Sequence, residues 1–135
     1  MASAVDTHAS KYGDIALLIG RILIGALFLI AAYNKAKGYS GSLGYFGKLG
    51  VPAPSVLLPL TIAFEAAAGI LLIIGYQARL AALAIALFCI VTALIAHTNI
   101  ADGNQFNHLL KNLAVTGGAL ALFVSGPGAL SLDKR

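Results

Sequence analysis

Four apolar stretches, Ile15–Tyr33, Val56–Tyr76, Leu80–Ala96 and Leu109–Ser125, limit what this chain can fold into more than any other feature. Each approaches the ~20 residues that carry a helix, at ~1.5 Å per residue, across a hydrocarbon layer of ~30 Å; the last two are at the short end. Inside such a layer only helices and closed barrels satisfy their backbone, and none of these runs shows the in–out alternation of a barrel strand. The expected fold is therefore all-α: a polytopic membrane protein with an antiparallel four-transmembrane-helix bundle. Composition agrees. The chain has 135 residues, 59% of them hydrophobic and 10% charged, with mean hydropathy +0.89, and so few charges do not coat a water-soluble domain.

The connections differ in kind. Gln77–Arg79 after Gly75 reads as a tight turn, and Thr98–His108 as a short polar loop around the Asp102-Gly103 turn signal. Both force antiparallel neighbours. The stretch Asn34–Ser55 is longer, and its YSGSLGYFGKLG mixes aromatic and aliphatic residues with Gly, Ser and Lys before Pro52 and Pro54; a short interfacial or re-entrant helix and a Gly-rich loop both fit it. Residues 1–14 read as a loosely ordered polar segment, 15–125 as the membrane domain and 126–135 as a short tail. The first apolar run is longer than the ~7–15 residue core of a cleaved signal peptide and is expected to remain as the first span. The single cysteine, Cys89, falls inside the third run, which offers no disulfide framework and no cysteine zinc site.

Net charge is +4, but the basic residues are scattered and sit at span ends, which points to lipid headgroups rather than nucleic acid. They do not orient the bundle. Lys11, Arg79, Lys134 and Arg135 share the face that carries the termini, and Lys35, Lys37, Lys48 and Lys111 share the other. These are called the terminal and distal faces below.

Polar residues inside the spans are the functional candidates. Glu65 lies near mid-depth, where an ionisable group costs several kcal/mol unless it faces the bundle interior and is paired. Arg21 is one candidate partner, roughly 6 Å away along the axis by helical rise; Lys35 and Lys111, reaching inward from the distal face, are the others. Arg21, Gly25, Phe28, Ala32 and Lys35 fall on one helical face, as do Thr61, Glu65 and Gly69. Gly25, Gly69 and the Gly117-Gly118 pair would permit close helix approach. Asn34, Lys35, His97, Lys111 and Asn112 gather toward the distal face, with the N-terminus of the last helix adding positive potential.

Taken in order, R-x3-G-x2-F-x6-K over Arg21–Lys35, the E-x3-G-x2-L-x2-G run from Glu65 to Gly75 with Arg79 beyond, His97 at the end of the third span, and LLKNLAVTGGALAL followed by GPGALSLD resemble the DoxX family of small four-helix membrane proteins. The resemblance covers nearly the whole chain after residue 14. It implies a bacterial inner (cytoplasmic) membrane protein with both termini cytoplasmic, and an association with quinone-linked oxidation.

Two functions remain open. In one, the chain is a redox-associated subunit, at most part of a quinone-linked oxidoreductase. Asn34, Lys35, Lys111 and Asn112 would bind a quinone or quinol head group and Glu65 and His97 would do the proton chemistry, while a partner oxidoreductase supplies electrons. No metal, haem or flavin motif accompanies this reading; paired haem histidines would need opposed positions in the core, which His97 and His108 do not have. In the other, Glu65 serves a small proton-coupled transporter, or the chain is a scaffold subunit or homo-oligomer in which an Arg21–Glu65 ion pair fixes helix register.

Overall fold

The computed structural model describes residues 4–134, which fold into helices alone: α1 (Ala4–Lys37), α2 (Tyr39–Lys48), α3 (Pro54–Ile74), α4 (Ala78–Ala96) and α5 (Gly103–Ser125). Segments Lys11–Lys37, Pro54–Ile74, Ala78–Ala96 and Gly103–Ser125 are each long and apolar enough to cross a bilayer. The expected four-span bundle is present, and the glycine-rich connection between the first two spans is the helix α2. Two helix starts differ most from expectation. Residues 4–14 are helical rather than loose, because a helix already nucleated in the first span extends at one hydrogen bond per added residue; residues 1–3 lie outside the described residues. The last helix begins at Gly103 rather than Leu109, since the Asp102 carboxylate accepts from Asn104 N at 3.0 Å and caps it.

The helices associate as two pairs, α1 with α3 and α4 with α5. Small residues govern the first. A Cβ added at Gly25 would lie 2.8 Å from Gly69 O, and one at Gly69 2.8 Å from Gly25 O, so both positions need glycine for the backbones to meet. Gly118 is covered by Ile24, whereas Gly117 faces open space. The shared interior contains Phe28, Ala68, Leu72, Ala82, Ile85, Ala86, Cys89, Ala119 and Leu122. Large residues such as Leu23, Leu94 and Val124 are turned outward, as suits a lipid solvent.

At the terminal face the C-terminal tail ties the pairs together. Leu132 N donates to Ile74 O and Asp133 N to Gly75 O. The Asp133 carboxylate accepts from Gln77 N at 3.0 Å and Ala78 N at 2.9 Å, capping α4 where its own N-cap side chain makes no such bond. Arg21, fully buried, donates to Leu72 O, Ile73 O and Leu130 O. Arg79 likewise satisfies the last carbonyls of α5 at Phe123, Val124 and Ser125. Both cations sit at helix C-termini, where the dipole favours them.

Candidate functional site

Between the two helix pairs, toward the distal face, lies a cavity of about 690 Å³. Its wall is drawn from the distal halves of α1, α3, α4 and α5, with Tyr45 and Phe46 of α2 and Leu49 just after it contributing. Phe28 and Phe88 form an aromatic side, their rings edge to face at 5.8 Å, and Phe64 backs Phe88 at 4.9 Å.

Glu65 and Lys35 meet inside it. Glu65 is 3% exposed; Lys35 Nζ is 3.0 Å from its Oε1 and donates to Oε2 at 3.2 Å. Oε1 is held by charge at that distance but has no aligned hydrogen bond. The Arg21–Glu65 pair expected as the structural ion pair is therefore not formed. Arg21 is spent on the carbonyls ending α3 and on the tail, and Lys35, arriving along the same face of α1 from the other side, takes the carboxylate.

His97 ends α4, and its ring stacks on His108, centroids 5.1 Å apart and planes 19° apart. Its Nδ1 is buried without a hydrogen-bond partner. Burial first, then the neighbouring His108 and Lys111, hold its pKa below the ordinary histidine value, with the Ala96 backbone opposing. Lys111 Nζ is 3.4 Å from His108 Nδ1.

Asn112 lines the cavity, but its amide nitrogen is committed to α4, donating to Cys89 O and Thr92 Oγ1, each at 3.1 Å. Its first task is to hold the second helix pair together, leaving the amide oxygen as what it can offer a ligand. Asn34 does not line the cavity: one residue before Lys35, it is turned about 100° away and lies exposed, its backbone carbonyl accepting from Gly38 N. Of the six residues expected to converge, Lys35, Glu65, His97, Lys111 and Asn112 share the chamber.

Sequence reasoning missed Thr92, which donates to Cys89 O at 3.2 Å and receives Asn112. It carries the only hydroxyl in its helix, and a lone polar group in an apolar run is the signal that singled out Glu65. Cys89 is a buried free thiol that also lines the cavity. Among the described residues, no cluster of three or more metal-ligating side chains occurs.

The sequence pattern of the DoxX family matches residues 16–98. The chain is 39% identical over 124 residues to inner membrane protein YqjF of Escherichia coli strain K12, covering 92% of this chain and 94% of that protein. It is 33% identical over 124 residues to inner membrane protein YphA of the same strain, covering 88% and 89%. No solved structure matches it.

Proposed function

The chain belongs to the DoxX family, and on that premise we propose that it is an inner-membrane redox-associated subunit whose distal cavity receives a quinone or quinol head group. The observation that carries this reading is the grouping, in one chamber of about 690 Å³, of a buried acid–base pair, a partnerless ring nitrogen and an aromatic side. Such a mixture suits a planar ring with polar oxygens and a long apolar tail. His97 Nδ1, if protonated as that tautomer, would donate to a head-group oxygen, and Lys111 would add a charge-assisted hydrogen bond beside it. Phe28 and Phe88 would flank the ring, and the tail would leave between the helix pairs into lipid. A quinone supplies two-electron, two-proton redox chemistry when bound; Glu65 would accept or return a proton, with Lys35 holding the carboxylate in place. Electrons would pass through a partner oxidoreductase. Both termini would be cytoplasmic.

Glu65 favours a second reading, a proton-coupled transporter or a scaffold subunit, because a buried carboxylate near mid-depth also suits a coupling site. Binding separates the two. A short-chain benzoquinone analogue titrated into the purified protein should bind with its affinity reduced about tenfold or more by Lys111→Met and by His97→Gln, at an unchanged thermal midpoint. Tenfold corresponds to about 1.4 kcal/mol, the scale of one charge-assisted hydrogen bond. Unaltered affinity in both variants, or losses that follow folding, would return the scaffold or transporter reading to first place.

A further inference from the structure

The cavity wall on the distal face includes two histidines from different helices. His97 ends α4, and His108 lies in the second turn of α5. Three features of their arrangement disfavour charged rings. The rings stack nearly parallel at 5.1 Å, where two imidazolium ions would repel. Lys111 Nζ approaches His108 Nδ1 at 3.4 Å, which needs that nitrogen to be an acceptor. His97 Nδ1 is buried and makes no hydrogen bond, so a second proton on that ring would have little beyond the opposing Ala96 backbone to offset its burial.

The other charged and titratable groups on the wall do not remove this bias. Lys35 of α1 and Glu65 of α3 neutralise one another. The Asp102 carboxylate, in the α4–α5 connection, is engaged in capping α5 through Asn104 N, and Tyr45 of α2 contributes a phenol to the wall. Lys111 remains as the cation beside the stack.

We propose that the His97–His108 stack is a proton-sensitive latch regulating access to the cavity: neutral and stacked, it joins the end of α4 to α5 and closes that wall. Protonation breaks the stack and turns the His97 ring toward distal water. The wall then opens, because His97 is the residue that caps α4, outside its last turn, and is followed by the short 98–102 connection. Because burial, His108 and Lys111 hold the His97 pKa below its ordinary value of 6.5, the latch stays closed at neutral pH and releases on acidification. As regulation of a ligand site this rests on the function proposed above; as a motion of the protein it does not.

Cys89, the one cysteine in the chain, lines the cavity and is buried, so its alkylation reports access without any ligand. The full chain in detergent is treated with a water-soluble maleimide between about pH 7.5 and about pH 5.5, across the histidine range, beside His97→Gln/His108→Gln. The falling thiolate fraction slows both proteins alike and cancels in their ratio. The wild-type rate divided by the variant rate should rise about fivefold or more on acidification; a flat ratio overturns the latch. If the double variant fails to fold, His108→Gln alone carries the same comparison, since the stack needs both rings. A rising ratio with no benzoquinone analogue bound at any pH leaves the latch standing and removes the quinone. Analogue binding with a flat ratio does the reverse.

Discussion

Lys35 Nζ stands 3.0 Å from Glu65 Oε1 and 3.2 Å from Oε2, but the two residues are not equally enclosed: the lysine side chain is 28% exposed and the glutamate 5%. This asymmetry sets the cost of breaking the pair. Without Glu65, the lysine can extend toward distal water along its apolar stem. Without Lys35, the carboxylate stays at mid-depth and must take up a proton or remain uncompensated.

Lys35→Met should therefore destabilise the protein in detergent by about 3 kcal/mol, near the low end for a broken buried pair, and Glu65→Gln by about 1 kcal/mol. The double variant should cost less than the two together. Reversible unfolding by denaturant measures all three, and strictly additive losses would remove the coupling. Arg21→Gln combined with Glu65→Gln should be additive, because Arg21 contacts carbonyls at the opposite end of α3.

Gly25→Ala and Gly69→Ala should each lower stability by about 1–3 kcal/mol, the range for an overpacked contact, since either methyl meets the partner's carbonyl oxygen at 2.8 Å. Gly117→Ala, with nothing within 4 Å, should be neutral or slightly stabilising through helix propensity. Thermal unfolding of the three variants checks the ranking, which glycine content alone would not produce.

How much of this was legible from sequence follows from what periodicity encodes. The α1 face of Arg21, Gly25, Phe28, Ala32 and Lys35 was legible because helical spacing fixes azimuth, and all five are buried or partly so. Convergence of Glu65, His97, Lys111 and Asn112 followed from depth, which rise per residue fixes. Glu65's partner did not. Arg21 and Lys35 both lay within reach of it, and the choice was made by the tail, whose Leu130 carbonyl helps to occupy Arg21. Docking of the tail is a contact between residues over one hundred positions apart, and no local pattern records it. Asn34 failed for the opposite reason: it was grouped by depth although its azimuth, one residue from Lys35, turns it outward.

Asp133→Ala should cost about 0.5–2 kcal/mol, the range for losing a helix cap, because the carboxylate satisfies two free N–H groups at the start of α4. Asp133→Asn should recover part of the loss, since an amide oxygen can accept only one of the two bonds as well as a carboxylate does. Both variants should bind the benzoquinone analogue as the wild type does, because Asp133 lies at the terminal face and the cavity opens toward the distal one. A binding defect in either, at matched stability, would show that the two ends of the bundle are coupled.

Stability should depend on pH through His97. Its folded pKa is lowered below 6.5 by burial, His108 and Lys111, so between that lowered value and 6.5 the unfolded chain binds more protons than the folded one. In that window stability rises with pH. The contribution is fully present above about pH 6.5 and is lost as the pH falls through the window, which is the direction in which stacked neutral rings give way to a cation beside Lys111. His97→Gln removes the titrating group, so the thermal midpoint of the variant should change less than that of the wild type over the same acid range. His108→Gln should bring His97 back toward its ordinary value by deleting one of the two neighbours that depress it, leaving burial and Lys111. Proton NMR titration of the His97 ring resonance measures this directly: an upward movement of its midpoint in His108→Gln supports the contact between the rings, and an unchanged midpoint would show that burial and Lys111 set the value without His108.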